Sequence, residues 1–192
     1  MKKTIAIMLA LILCAGALQA QESRKCQWTV GVAGGYEQHG SYNDASKLQA
    51  LLESYLFGAF GEYMFNTHWA IKAELNSSMQ YKAHFGEVSF NQKVPGIQIF
   101  VGAKYEWQFE KLFLGLSMGP GYSYRYLEHE TYCIFICTEP EIGLWLNNHW
   151  SIRLSNRWNF DMFDSNYSVF KGNDGTTFSG GFNATLGIAY TF

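Results

Sequence analysis

The sequence predicts an all-β fold, an eight-stranded antiparallel transmembrane up-and-down β-barrel preceded by a cleaved signal peptide. Apolar residues alternate with small, polar or charged residues through most of the chain, and short polar turns alternate with longer polar connections. Aromatic residues make up 17% of the chain and charged residues only 16%. Such alternation suits strands with lipid on one face and a barrel interior on the other. Mean hydropathy is only −0.11 because the two faces cancel in any window average.

Residues 1–20 are typical of a secretory signal peptide. Two lysines precede an apolar run that ends at Leu18 and is short for a membrane-spanning helix. Cleavage after Ala20 leaves residues 21–192 as one barrel domain. A lipoprotein signal acylated at Cys14 is the alternative. No later stretch has the ~18 consecutive apolar residues that a membrane helix needs.

Short turns define the strands. Asn66-Thr67-His68-Trp69 and Asn147-Asn148-His149-Trp150 are two similar turns that each restart on Trp, and residues 109–111 form a third. The predicted strands are 27–38, 54–65, 69–81, 96–108, 112–126, 138–147, 150–162 and 178–192. The remaining connections are longer and polar: 39–53, 82–95, 127–137 and 163–177.

Strict alternation of short and long connections is the layout of an outer-membrane barrel, with short turns in the periplasm and longer loops outside. We expect a helical turn or two between Ala45 and Leu56. Aromatic residues fall at both ends of the predicted lipid-facing sets, which predicts two aromatic belts. The periplasmic belt is Trp28, Trp69, Trp107 and Trp150, and the outer belt is Tyr36, Tyr81, Tyr122, Tyr124 and Phe178. A soluble, lipocalin-like barrel with an aromatic core is the alternative fold.

On the same strands, the residues that alternate with the lipid-facing ones, and therefore face the barrel interior, include many charged residues. Side chains fill the interior of an eight-stranded barrel, so buried charges there must pair with one another. We therefore predict a lumen charge network that plugs the barrel, with an ion or proton path as the alternative function. The predicted network is Glu62, Lys72, Glu74, Lys104, Glu106, Arg125, Glu141, Arg153, Arg157 and Asp161.

Three cysteines remain after the predicted cleavage. Cys133 and Cys137 lie in one predicted connection, and export permits disulfides, so they are the natural pair if that segment turns. If the segment is extended, their separation of about 13 Å is too large for a bridge. We expect Cys26 to stay free.

Three segments carry a family resemblance: Gly58-Ala59-Phe60-Gly61-Glu62-Tyr63, the glycine-rich run 115–122, and the final Gly187-x-x-Tyr190-x-Phe192. With them the chain resembles the eight-stranded outer-membrane barrels, namely the outer-membrane protein A barrel domain, the protein X type and the β-barrel domain common in Bacteroidetes. The resemblance implies an outer-membrane location. It also implies that Gly187, Tyr190 and Phe192 form a signal for the barrel-assembly machinery.

The expected function is an integral outer-membrane protein with a structural or surface-interaction role through its outer loops. Its expected partners are outer-membrane lipid and lipopolysaccharide, and the assembly machinery during biogenesis, whereas the sequence does not indicate an extracellular ligand. The connection at 127–137 joins acidic residues to an apolar tip, which is suited to recognition. The mature chain keeps 12 basic and 16 acidic residues, a balance that argues against a nucleic-acid partner.

We expect no catalytic residue, metal or cofactor. Barrels of this size include lipid A-modifying enzymes, whose chemistry needs a His base beside a Ser nucleophile. His39, Ser41 and Asp44 are close in sequence, but any polar loop yields such a trio by chance. A narrow pore and a lipid A-modifying enzyme are the alternative functions.

Overall fold

The computed structural model describes residues 26–43, 49–91, 93–126, 130–164 and 177–192. The predicted signal peptide, residues 1–20, lies outside these ranges. Within them, no helix is long and apolar enough to cross a membrane.

The described chain consists of β-strands joined by turns. The nine strands are β1 Gln27–Asn43, β2 Gln49–Met64, β3 Trp69–Phe85, β4 Val88–Phe90, β5 Val94–Gln108, β6 Leu112–Tyr126, β7 Glu130–Trp145, β8 Trp150–Asp164 and β9 Thr177–Thr191. The three predicted short turns all lie between strands, at 65–68, 109–111 and 146–149.

Eight of these strands close into one antiparallel barrel, as predicted. Strands pair in chain order, and β3 pairs with β5 because the short β4 only forms a hairpin with the end of β3. β9 then pairs with β1 along their length, with Thr29 opposite Thr191 and Asn43 opposite Thr177. Closure satisfies the backbone of both β1 and β9, as a membrane-spanning sheet requires.

The two faces of the barrel have opposite character. On β5, Ile97 and Val101 face outward and are 50% and 47% exposed, whereas Gln98 and Lys104 face inward and are 1% and 0% exposed. Trp28, Trp69, Trp107 and Trp150 also face outward beside the short turns. A barrel in water would bury its large apolar side chains inside, so the distribution fits lipid around the barrel and not a lipocalin-like fold.

Several strands extend further from the periplasmic turns than the sequence pattern predicts. β2 already begins at Gln49, β3 runs on to Phe85, and β7 already begins at Glu130. The expected helical turns between Ala45 and Leu56 are wrong from Gln49 onward, where the chain is extended, and residues 44–48 lie outside the described ranges. At the outer ends of β2 and β3 the outward face is no longer uniformly apolar, so the alternation stops before the strand does. At the start of β7 both faces are apolar, with Ile134 and Ile136 outward and Cys133, Phe135 and Cys137 inward, so the sequence shows no alternation there.

Cys133 and Cys137 both lie in strand β7 and not in a connection, so the extended alternative holds and the possible disulfide between them is not formed. Neither thiol is in a disulfide, and both are buried inside the barrel, where they pack with Phe100 and Phe135. An extended strand holds residues at this spacing about 13 Å apart, which a disulfide cannot bridge. Cys26 is not in a disulfide either, and it is exposed.

Candidate functional site in the barrel lumen

Nine charged side chains meet in the half of the lumen nearer the short turns, which we call the periplasmic half. They lie at inward positions of strands that also carry lipid-facing residues, so the alternation of each strand places them there. We call this set the ionic cluster, and its members are Glu62, Lys72, Glu74, Lys104, Glu106, Glu139, Glu141, Arg153 and Arg157.

Lys104 forms one centre of the ionic cluster. Its side chain is fully buried, and Nζ lies 3.0 Å from Glu62 Oε1, 2.9 Å from Glu106 Oε2 and 2.6 Å from Glu141 Oε1. An ammonium group has three protons to donate, so these three carboxylates match its full capacity. Lys104 is on β5, while Glu62 is on β2 and Glu141 is on β7, so these contacts reach across the lumen.

Lys72 forms a second centre from β3. Its Nζ lies 2.8 Å from Glu74 Oε1 and 3.1 Å from Glu141 Oε2, and it also contacts Glu139. Glu141 therefore binds Lys72 with one carboxylate oxygen and Lys104 with the other. The two centres are linked into one network through this shared residue.

Two arginines of β8 complete the ionic cluster. Arg153 Nη1 lies 2.7 Å from Glu62 Oε2 and 3.3 Å from Glu141 Oε1. Arg157 Nε donates to Glu139 Oε2 at 2.6 Å, and Arg157 Nη2 contacts Glu74. Since a buried charge is costly unless it is paired and hydrogen-bonded, multiple partners for each cation are what makes this burial possible.

Aromatic rings cover the guanidinium groups of the ionic cluster. Arg153 lies over the rings of Phe60 and Phe113, at 5.2 Å and 5.0 Å from their centroids, and Arg157 lies 4.6 Å over Phe100. Cation–π contacts of this kind are favourable where water is excluded. The rings also fill the space that charged side chains leave between them.

The gap next to the ionic cluster is small. One cavity at the periplasmic end, bordered by Glu62, Glu106, Trp145 and Arg153, has a volume of about 10 Å³. A single water molecule needs about that much room.

The other half of the lumen, which we call the extracellular half, holds fewer charges. Arg125 Nη2 lies 3.5 Å from Glu37 Oε2, and Gln98 donates to the other oxygen of Glu37. Asp161 Oδ2 lies 3.1 Å from His39 Nε2 and accepts from Ser179. None of the contacts described above joins these two sets to the ionic cluster.

The structure distributes the ten predicted lumen charges over three sets. Eight of them belong to the ionic cluster, Arg125 binds Glu37, and Asp161 binds His39. The sequence-based prediction missed Glu37 and Glu139. Glu139 has the inward parity of Glu141, and Glu37 has that of Thr29, so the alternation itself would have found both. The predicted network has five acidic and five basic residues, whereas with Glu37 and Glu139 the described part of the lumen has seven acidic and five basic ones.

Two residues of the predicted assembly signal, Gly187 and Tyr190, lie on β9 near the periplasmic edge, and Phe192 follows the strand directly. Gly187 lies opposite Ala33 of β1 and Arg153 of β8. The rings of Tyr190 and Phe192 meet edge to face, with centroids 5.1 Å apart. Their role in assembly stays a prediction.

A closed strand barrel with apolar residues outside and charges inside defines a transmembrane β-barrel protein. The chain belongs to the outer membrane protein beta-barrel domain family, whose model matches residues 6–192. It is accordingly a protein of the outer membrane, embedded among its lipids and lipopolysaccharide, and barrels of this class are generally assembled by the barrel-assembly machinery.

Solved structures of outer-membrane proteins share this fold at low sequence identity. OprG from Pseudomonas aeruginosa is 11% identical with a TM-score of 0.57, and the match covers 90% of this chain and 98% of that one. Neisserial surface protein A is 10% identical with a TM-score of 0.54, covering 85% and 97%. Ail, the attachment invasion locus protein of Yersinia pestis, is 13% identical with a TM-score of 0.50, covering 88% and 99%. The comparison with curated proteins found no match.

Proposed function

We propose that the ionic cluster plugs the lumen and that the protein acts as a non-conducting outer-membrane barrel with a structural or surface-interaction role. The observation that carries this proposal is the burial of Lys104 of β5 among three carboxylates, two of which, Glu62 of β2 and Glu141 of β7, come from other strands. A side chain held in this way cannot swing aside without breaking three buried ion pairs.

The distribution of contacts over the barrel wall supports a plug. Lys72 on β3 binds Glu139 on β7, and Arg153 on β8 binds Glu62 on β2. Each of these pairs is three strands apart around an eight-stranded barrel, which is close to its diameter. Moving an ion through the lumen would require breaking buried ion pairs, each of which costs about 3–5 kcal/mol when one partner is lost.

The surface role is supported by the strands that extend beyond the lipid-facing band. The hairpin of β3 and β4 turns at Gly86, which has a positive φ of 58°, and its Val88 is 64% exposed. On the other side, Tyr132 stacks on Tyr122 and Phe163 with centroids 6.5 Å and 5.5 Å apart. Elements that protrude from a rigid scaffold are where recognition usually takes place. The surface hypothesis therefore moves from a loop at 127–137 to these strand ends.

We also propose that the protein is not an enzyme. His39, Asp161 and Ser179 form the one Ser–His–Asp set that the lumen contacts described above bring together. Ser179 Oγ and Asp161 Oδ2 both contact the same nitrogen of His39, Nε2, at 3.3 Å and 3.1 Å. A nucleophile activated by an oriented His requires the acid and the serine on opposite ring nitrogens. Asp44 of the sequence-based trio lies outside the described residues.

An ion-flux assay tests the plug. The purified protein is reconstituted into vesicles that contain a potassium-sensitive dye, and we expect the same slow leak as in protein-free vesicles. The matched positive control is the quadruple variant Glu62→Ala, Lys104→Ala, Glu141→Ala and Arg153→Ala, which removes two acids and two bases and should leak. Fast flux through the unmodified protein would refute the proposal.

Lipid analysis tests the absence of enzymatic activity. Lipid A is isolated from cells with and without the protein and compared by mass spectrometry. We expect identical acyl patterns. A change in acyl number that disappears in the Ser179→Ala variant would establish an enzyme instead.

A further inference from the structure

Two periplasmic turns of the barrel have the same sequence pattern and the same internal bonds. Asn66 Oδ1 accepts from the backbone N–H groups of His68 and Trp69, at 2.8 Å and 2.7 Å. Asn147 Oδ1 accepts from those of His149 and Trp150, both at 2.8 Å. The Asn side chain thus fixes each turn, and it places the His at the point where the next strand begins.

Each His reaches from its turn to the neighbouring strand. His68 Nδ1 lies 3.0 Å from the carbonyl oxygen of Glu106, and His149 Nδ1 lies 2.9 Å from that of Thr191. A carbonyl oxygen only accepts, so Nδ1 carries the proton in both rings. In return, the backbone N–H groups of Glu106 and Thr191 donate to the carbonyl oxygens of His68 and His149, both at 2.8 Å.

A tyrosine completes each arrangement. The ring of His68 stacks on Tyr105 with centroids 5.3 Å apart, and that of His149 stacks on Tyr190 at 5.4 Å. We call each set of Asn, His and Tyr a His clamp. The two His clamps agree so closely that each is a natural control for the other.

The two His clamps differ in the strand that they hold. The His68 clamp joins β3 to β5, whereas the His149 clamp joins β8 to β9, the strand that closes the barrel on β1. The same end of β9 is held on its other side by β1. There, Thr191 and Thr29 share a hydroxyl–hydroxyl bond of 2.8 Å, and the N–H of Phe192 donates to Trp28 at 2.9 Å.

Sequence separation orders these two contacts of β9. His149 and Thr191 are 42 residues apart, whereas Thr29 and Thr191 are 162 residues apart. Loop closure costs more entropy over the longer separation, so the local pairing of β8 with β9 is favoured first. Its register matters, because a slip of one residue would turn every lipid-facing side chain of β9 into the lumen.

We propose that His149 is a positioning residue for barrel closure, fixing the register of β9 on β8 before β9 pairs with β1. This inference is independent of the lumen plug. It concerns how the barrel forms, and it gives Tyr190 a specific task as the ring on which His149 rests.

Refolding of the full chain into lipid vesicles tests the proposal. The rate of closure is followed by heat-modifiable gel mobility for His149→Ala and for the matched control His68→Ala. Loss of one hydrogen bond before the rate-limiting step predicts about fivefold slower closure for His149→Ala. His68→Ala should change the rate of closure less than about twofold, because its strands lie away from the closing pair. It should lower the stability of the folded barrel about as much as His149→Ala does. Equal rates for the two variants would overturn the proposal.

A register probe separates positioning from general stability. Ser155 Oγ and Thr185 Oγ1 are 2.7 Å apart across β8 and β9, so Ser155→Cys with Thr185→Cys forms a disulfide in the native register. The four native cysteines of the full chain, Cys14, Cys26, Cys133 and Cys137, are replaced by Ala in this background. We expect this cross-link to form later in the His149→Ala variant than in the His68→Ala variant. Native cross-linking that is as early in His149→Ala as in the parent would refute the positioning role.

A conservative variant tests which atom matters. His149→Gln keeps an N–H that can donate to the Thr191 carbonyl but removes the ring stack. We expect it to recover most of the closure rate. A His149→Gln variant as slow as His149→Ala would contradict the assignment to this hydrogen bond.

Discussion

The periplasmic half of the lumen holds nine charged side chains in one bonded cluster, whereas the extracellular half holds two small separate sets among amides and hydroxyls. In the ionic cluster, Lys104 has three carboxylate partners within 3.0 Å. In the extracellular half, Arg125 has one carboxylate partner, Glu37, at 3.5 Å. One barrel thus combines a highly cross-linked region with a loosely bonded one.

Unpaired polar atoms sharpen this difference. Within the described part of the chain, buried side-chain atoms without a protein hydrogen-bond partner lie mostly from the middle of the barrel toward its extracellular end. Seven such atoms are Ser54 Oγ, Gln80 Oε1, Gln98 Oε1, Arg125 Nε, Asn159 Oδ1, Asp161 Oδ1 and Asn183 Nδ2. The other three are Ser117 Oγ, Asn156 Oδ1 and Arg157 Nη1, the last of them in the ionic cluster. Since polar networks stabilise a structure when their members are satisfied, the periplasmic half should contribute most to rigidity and closure.

The largest expected effect is loss of a cation from the ionic cluster. Lys104→Met leaves Glu62, Glu106 and Glu141 buried without their shared cation, so we expect the free energy of unfolding to fall by about 3–5 kcal/mol. The matched variant of the extracellular half, Arg125→Met, should lose only about 1–2 kcal/mol, because its contact with Glu37 is long, at 3.5 Å, and Gln98 still donates to Glu37. Urea unfolding of vesicle-inserted protein measures both, and equal losses would mean that the two halves do not differ in this way.

A smaller effect is expected from filling the space over two lumen glycines. A Cβ on Gly143 would lie 2.0 Å from the ring of Phe113, and one on Gly121 would lie 2.1 Å from the ring of Phe135. We expect each Gly→Ala change to lower the free energy of unfolding by about 1–3 kcal/mol, because the added methyl group would force the ring to move. The two losses should be similar, since the two halves differ in charge and not in tightness of packing. Gly61→Ala is the control, since its Cβ would meet nothing within 4 Å. A cost at Gly143 alone would show that only the periplasmic half is tightly packed.

The smallest expected effect is on thiol reactivity. Cys26 is exposed, whereas Cys133 is 5% and Cys137 is 0% exposed inside the barrel. We expect a maleimide reagent to label Cys26 but neither Cys133 nor Cys137 in the folded chain, and to label all three after unfolding, read by mass spectrometry. Rapid labelling of Cys133 in the folded barrel would show that reagent enters the lumen from the extracellular side.

Much of this architecture follows from the sequence, because lipid and lumen impose opposite demands on alternate residues. The eight barrel strands, the short turns and the inward position of residues such as Lys104 and Glu141 follow from parity alone. The outer ends of β2 and β3 do not, since alternation has no physical cause above the lipid. The start of β7 does not either, since its inward residues there are as apolar as its outward ones. Cys133 shows the consequence, because the prediction placed it in a loop that the structure extends as a strand.

The partners of each lumen charge also lie beyond what the sequence predicts. Parity places Lys72 inside the barrel, but its contact with Glu139 depends on the stagger of strands around the barrel, which no local pattern encodes. The His clamps can be predicted from the sequence only in part. The repeated Asn-x-His-Trp pattern marks the turns, whereas the reach of His149 to Thr191 emerges only when β9 lies beside β8.

Planar-bilayer conductance tests the central claim, that the ionic cluster closes the lumen, most directly. The unmodified protein should insert without steady current at any moderate voltage. The quadruple variant Glu62→Ala, Lys104→Ala, Glu141→Ala and Arg153→Ala should conduct in discrete steps, which shows that the assay detects an open barrel. Discrete current steps from the unmodified protein, of the size that the quadruple variant gives, would contradict the account.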